Sequence, residues 1–148
     1  MPATGTPVTA RRPEFVADFI HARQVGSLPD SLGIVVDSIE DGLLTLSMAV
    51  EARHMAPNGY LHAGSVVTLA DTAAGYGCAA HLPAGASGFT TIELKSNFLG
   101  TARGGRIVAR ATLVHGGRTT QVWDATVVDE DHRTIALFRC TQMVLWPA

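Results

Sequence analysis

The chain has 148 residues, 47% of them hydrophobic and 16% charged, with a formal net charge of -2 at pH 7. That length makes about one domain with a core of its own, and so lean a surface charge suits a chain that hides part of its surface in an oligomer. The slight acidity argues against a general nucleic-acid or anionic-membrane surface, while leaving room for a local basic pocket built from Arg103, Arg106, Arg110 and Arg118.

Residues 1–12, rich in Pro, Thr and Ala, read as a loose tail with no apolar export segment. Pro13-Glu14 can open a short helix over about 13–23, with Phe15, Phe19 and Ile20 on one face. Together these make an N-terminal piece, 1–28, ahead of a main domain over 29–148. Strands follow at about 34–39 and 43–50, joined at Glu40-Asp41-Gly42, where Asp-Gly is a strong hairpin signal. A loop with His54, Pro57 and Gly59 leads to an almost wholly apolar helix over about 63–82, closed by Pro83-Ala84-Gly85. Residues 89–99 read as strand with part loop. Residues 106–115 alternate Ile107, Ala109, Ala111 and Leu113 against Arg106, Arg110 and Thr112, the period of a half-buried antiparallel strand. Gly116-Gly117 turns the chain into 119–128, and 129–132 turns it again into 134–146.

One helix among that many strands buries all its sides only if the sheet curls around it. Ala70, Ala73, Ala74, Gly75 and Gly77 allow the close approach, and since each helical Gly costs about 1 kcal/mol against Ala, packing must explain them. The expected fold is therefore α+β, an antiparallel sheet wrapped around one long central helix. Cys78 and Cys140 fall in apolar segments and read as buried free thiols, and no His/Cys spacing points to a metal. No stretch approaches the roughly 18 apolar residues of a membrane span. The expectation is a soluble cytoplasmic protein that binds neither nucleic acid nor membrane.

The helix carries one carboxylate, Asp71. A lone Asp on an all-round apolar helix either has a partner or faces a cavity where a carboxylate is wanted. It stands nine positions after His62, which on a helix is about 900° of rotation and about 13 Å of rise. His62 and Asp71 thus point to opposite sides, and one chain cannot easily join them. Two chains can, if their helices meet antiparallel across a two-fold axis.

Gly59-Tyr60-Leu61-His62-Ala63-Gly64, then Leu69-Ala70-Asp71-Thr72-Ala73, then His115-Gly116-Gly117-Arg118-Thr119-Thr120 resemble the hotdog-fold acyl-CoA thioesterases. The closest likeness is to the phenylacetic-acid-degradation type and to the 4-hydroxybenzoyl-CoA thioesterases of the Arthrobacter kind. The resemblance implies a hotdog fold from about residue 33 onward and a homodimer or dimer of dimers. It implies no metal or redox cofactor, and an acyl-CoA substrate whose acyl group, aromatic or aliphatic, stays open. It also implies Asp71 as catalytic carboxylate, nucleophile or general base, with His62 at the helix start. The N–H groups of Ala63 and Gly64 would polarise the thioester carbonyl, and a hydroxyl at Thr91 would hold a water. The CoA moiety would lie at Gly117, Arg118 and Thr119. Ala63 replaces the family's first Gly after the His. Ala56 stands where the family tends to carry Asn or Gln, so Asn58 is the substitute polar residue.

Rival readings are a hotdog hydratase or dehydratase using His62 with Asp71, and a non-catalytic acyl-CoA binding module. Thr91 also reads as structural, Glu93 and Lys95 as a surface or interface ion pair, and His54, His81 and His132 as surface residues.

Overall fold

The computed structural model describes residues 10–148, so residues 1–9 of the expected tail lie outside the described residues. Two short helices, α1 (Ala17–Gln24) and α2 (Leu28–Ser31), precede β1 (Ile34–Glu40) and β2 (Leu43–Ala49). The long helix α3 (Ala63–Ala80) follows, then β3 (Gly88–Phe98), β4 (Arg106–Gly116), β5 (Thr120–Val128) and β6 (Thr134–Leu145). The six strands form one sheet in the order β1-β2-β4-β5-β6-β3, every pairing antiparallel. This is the expected hotdog arrangement, with α3 packed against β2, β3, β4, β5 and β6.

The helix folds against the sheet because its small and apolar residues recur every three or four positions. Val66, Leu69, Ala70, Ala73, Ala74, Gly77 and Cys78 are buried, facing the inward residues Leu44, Leu46, Met48, Ile107, Ala109, Ala111, Trp123 and Ala125. Gly77 shows why the helix tolerates glycine. A Cβ there would lie 2.7 Å from the buried Trp123 ring, so the indole occupies the space a side chain would take.

Several expectations need correction. The first helix begins at Ala17 rather than Pro13, because 13–16 are spent in a turn closed by Phe15 N–H to Arg12 O (3.1 Å) and Val16 N–H to Glu14 O (2.9 Å). Helix α2, only four residues long, is too short to show a period in sequence. The 89–99 segment is strand nearly throughout. Glu93 and Lys95 form no surface ion pair among the described residues, so of the two expectations only the interface pair stands. The four arginines do not gather in one pocket: Arg106 and Arg110 line one hollow with Asp129 and Glu130, Arg103 stacks on Tyr60 and lines another, and Arg118 stacks on Trp146 beyond the far end of β4, about 30 Å away.

His54 and His81 are fully buried, not surface residues. His81 Nδ1 donates to Gly77 O (2.8 Å) and Nε2 accepts from Gly42 N–H (2.9 Å), tying the end of α3 to the β1–β2 hairpin. Burial is the main cause that pulls its pKa below the usual histidine value. His132 is exposed, as expected.

Candidate active site

Asp71 lies where the helix leaves the core. Its Oδ1 is buried with no hydrogen-bond partner, the only such side-chain atom among the described residues. Burial raises its carboxyl pKa above the ordinary aspartate value. A buried acceptor left unpaired is costly, about 1–3 kcal/mol and more for a charged group, so a fold that keeps one invites a functional reason.

Asp71 acts on Cys140 of β6, from which a hydrogen-bonded chain runs to β3. Cys140 carries a thiol pushed up to about 11, first by burial and next by the negative charge of Asp71. Beside that thiol, Gln142 Nε2 donates to Cys140 Sγ (3.3 Å), and Gln142 Oε1 accepts the Thr91 hydroxyl at 2.7 Å. Gln142 is wholly buried and joins the Asp71 neighbourhood to the edge strand. With its proton committed to Gln142, Thr91 Oγ keeps its lone pairs for another donor, such as water.

The start of α3 is held by a residue the sequence reading placed on the surface. His54 Nδ1 accepts Glu51 N–H (3.0 Å), so its proton sits on Nε2, which donates to Leu32 O (2.9 Å). The His54 carbonyl accepts from His62 N–H (3.0 Å) and Ser65 Oγ (2.9 Å). One buried imidazole thus fixes the loop onto the first turn of the helix. The one local hint was Glu51 three positions before His54, the spacing of a capping box, which the structure shows.

His62 caps α3: its Nδ1 accepts Gly64 N–H at 2.8 Å. The ring lies over Gly64, whose Cβ, if present, would sit 2.9 Å from Nδ1. Within the chain, then, Gly64 N–H is already engaged, whereas Ala63 N–H has no acceptor among the described residues. That group points outward at the positive end of the helix dipole. Asn58 Oδ1 accepts Tyr60 N–H (3.2 Å) inside its own turn, and its side chain is exposed.

The Gly117 turn stands at the other end of α3. Gln121 Nε2, at the start of β5, donates to His81 O (2.8 Å) at the helix C-terminus. Gly117 N–H closes the hairpin onto Thr120 O (2.9 Å), and a Cβ there would strike His115 Nε2 at 2.5 Å. The backbone N–H of Gly117 is therefore spent. Arg118 is exposed, its guanidinium 4.2 Å above the Trp146 ring and without a carboxylate partner among the described residues. Thr119 is exposed beside it. The structure thus gathers His62, Ala63, Gly64 and Asn58 at one end of α3, sets Asp71 and Thr91 along its flank, and puts Gly117, Arg118 and Thr119 at the opposite end.

Comparison with known proteins gives these features a setting. A family model described as the thioesterase superfamily matches residues 58–136, a span holding all nine of these residues. The 1,4-dihydroxy-2-naphthoyl-CoA hydrolase of Listeria monocytogenes is 33% identical over 77% of this chain and 92% of that protein. The acyl-coenzyme A thioesterase PaaI of Escherichia coli is 34% identical over 74% of this chain and 76% of that protein. Among solved structures, a mutant of thioesterase PA1618 from Pseudomonas aeruginosa superposes with a TM-score of 0.87 at 32% identity, covering 92% of this chain and 98% of that one.

Proposed function

This chain belongs to the thioesterase superfamily and is a thioester hydrolase acting on acyl-CoA, and from that premise we propose that Asp71 is its catalytic carboxylate in a site shared by two copies of the chain. Hydrolase relatives favour this reading over the hydratase and the non-catalytic binding module. The observation that carries it is the buried, unpartnered Oδ1 of Asp71.

Water exclusion and missing partners make a carboxylate a stronger base and nucleophile than one dispersed in solvent. Asp71 either attacks the thioester carbonyl carbon, expelling CoA thiolate and leaving an anhydride for water to open, or takes a proton from a water that attacks instead. In both routes negative charge grows on the carbonyl oxygen. The free N–H of Ala63 at a helix N-terminus suits that oxygen. Gly64 N–H joins it when the His62 ring turns away. Thr91 would hold the water, and Arg118 with the Gly117 and Thr119 turn would meet the phosphates of CoA. Asn58 would supply the polar group absent at Ala56.

Three features support the two-chain site. The helix start and Asp71 are about 13 Å apart along α3. The Gly117 turn is at the far end again. Strand β3, on the Asp71 side, has an unpaired edge of eleven mostly exposed residues. Antiparallel pairing of two β3 edges would bring the helix start of one copy to Asp71 and the CoA turn of the other. The two buried free thiols fit a reducing cytoplasm.

The test is Asp71→Asn with a thiol-release assay over a panel of acyl-CoAs. Turnover is expected to fall at least about a hundredfold, near 2.7 kcal/mol of barrier, with the fold kept. In the wild type, kcat/KM should rise with pH through a pKa above the ordinary aspartate value, because only the ionised carboxylate works. The same raised pKa means the fold favours the neutral form, so its stabilising effect is lost as pH rises through that pKa. Asp71→Asn is therefore expected to melt higher than wild type at pH 7. A loss of turnover below about tenfold, or 1.4 kcal/mol, would remove Asp71 from the chemistry.

A further inference from the structure

Gln121 of β5, Gln142 of β6 and Thr91 of β3 stand in register in one row across three strands, and so share a face of the sheet. It is the face packed on α3, since Trp123, two residues after Gln121, fills the space over Gly77. Both amides are wholly buried, whereas Thr91, at the end of the row on the open edge, is exposed. Directly after Thr91 the ladder slips: Glu93 is the next β3 residue with a partner, opposite Thr141, and Ile92 is the extra residue of a bulge. The Thr91 hydroxyl is thus rooted in the interior through Gln142 while its other side stays open.

The two buried amides differ in what fixes them. Gln121 Nε2 donates to His81 O (2.8 Å) and its Oε1 accepts from Trp123 Nε1 (2.9 Å). One partner only accepts and the other only donates, so Gln121 has a single sense. The partners of Gln142 are a hydroxyl and a thiol, and each of those can donate or accept. Its amide therefore has two senses, and Asp71 selects between them. The negative charge of Asp71 reaches Cys140, draws the S–H proton toward itself and leaves the sulfur lone pairs to Gln142 Nε2, 3.3 Å away. Gln142 Oε1 then faces Thr91 and takes its proton at 2.7 Å.

That sense has a chemical consequence. An attacking water must keep a lone pair for the carbonyl carbon, so its protons belong on acceptors. A Thr91 hydroxyl that donated to the water would occupy that lone pair. We propose that Gln142 is a positioning residue for hydrolysis: by holding the Thr91 proton it keeps Thr91 Oγ a pure acceptor, which turns a lone pair of the attacking water toward the thioester carbonyl. In the general-base route one water proton is hydrogen-bonded to Thr91 Oγ and the other passes to Asp71. The water oxygen bonds to the carbonyl carbon, the C–S bond breaks, and the proton on Asp71 leaves with the CoA sulfur. The proton at Thr91 stays on the acid, which ionises on release. The proposal rests on the readings of Asp71 as catalytic carboxylate and of Thr91 as the holder of the water. It adds a residue beyond the 58–136 segment that matches the thioesterase family.

The test is a double-mutant cycle on the best substrate of an acyl-CoA panel. Wild type, Gln142→Met, Thr91→Val, Thr91→Ser, the double variant Gln142→Met, Thr91→Val, and Asp71→Asn are assayed side by side and melted. Gln142→Met and Thr91→Val should each lower kcat about tenfold, the worth of one hydrogen bond, with KM changed by less than about twofold. Thr91→Ser, which keeps the hydroxyl, should stay within about threefold of wild type. The double variant should fall no lower than the weaker single, because Gln142 acts only through the Thr91 hydroxyl. A merely structural role for Gln142 would multiply the two losses, to about a hundredfold. That result, or wild-type kcat in Gln142→Met, overturns the proposal and leaves Thr91 in place. Wild-type kcat in Thr91→Val, or Thr91→Ser as slow as Thr91→Val, overturns the proposal together with the reading of Thr91. Should Gln142→Met fail to fold, neutron diffraction from deuterium-exchanged wild-type crystals decides. A deuteron on Thr91 Oγ facing Gln142 supports the proposal, and a Gln142 Nε2 deuteron facing Thr91 overturns it. Failure of the catalytic reading would look different, as full activity in Asp71→Asn.

Discussion

At one edge of the sheet, β1 runs seven residues and its free backbone groups are met from α1, Val36 N–H donating to His21 Nε2 (2.9 Å) and Ile34 O accepting from Gln24 Nε2 (2.7 Å). At the other edge, β3 runs eleven residues with no such cover, and Ile92, Leu94 and Phe98 stand 56%, 42% and 46% exposed. Strand edges left open pair with other chains unless they are short, covered, charged or bulged. The first edge is short and covered. The second is long and exposes apolar side chains between its polar ones, with one irregularity between Thr91 and Glu93. The chain thus covers one side of its sheet by itself and leaves the other open, the side on which the proposed second copy would pair. Asp71, with its unpaired Oδ1, and Thr91 both lie toward the open side.

Three variants press on this contrast. The double variant Ile92→Lys, Leu94→Lys places like charges along the open edge, where two copies would face them. It is expected to halve the mass seen by sedimentation and to lower kcat/KM at least about a hundredfold, although neither residue touches the reacting atoms. A charged edge that stays paired and active would mean that assembly uses another surface. Arg118→Ala is expected to raise KM for acyl-CoA several-fold with little change in kcat, the mark of lost uniform binding. The effect should shrink for acyl-pantetheine substrates, which lack the nucleotide; an equal loss on both would place Arg118 in folding or assembly. His21→Ala, at the covered edge, removes one neutral acceptor and should cost only about 1 kcal/mol, some 2–4 °C in Tm, with kcat/KM unchanged. A fall in activity there would tie the covered edge to the site.

The same contrast explains what was legible in the sequence. The alternation of Ile107, Ala109 and Ala111, the Asp41-Gly42 hairpin and the small-residue helix are local patterns, and each appears where it was expected. Asp71 was legible because a carboxylate interrupts an apolar helix. His54 and His81 were misread because an isolated histidine has no period, and much of what holds each is backbone remote in sequence, Leu32 O for one and Gly42 N–H for the other. The position of β3 at the far edge, beside β6, follows no local rule either: it is set by which side of α3 remains uncovered. The engagement of Gly64 N–H by His62 belongs to the same class, since it depends on a side-chain rotamer.

The claim that one site is built from two chains is tested most directly by complementation. Asp71→Asn removes the carboxylate from one set of chains. Ala63→Pro removes the free N–H from another, and position 63 accepts proline because it is the first residue of α3 and His62 before it is extended, at φ -63° and ψ 132°. Each variant alone should be nearly inactive. After subunit exchange, a mixed pair would hold one site with both lesions and one with neither. An equal mixture, in which half of the pairs are mixed, should therefore recover about a quarter of wild-type activity. No recovery, with exchange confirmed by differential labelling, would place the whole site within a single chain and contradict the account.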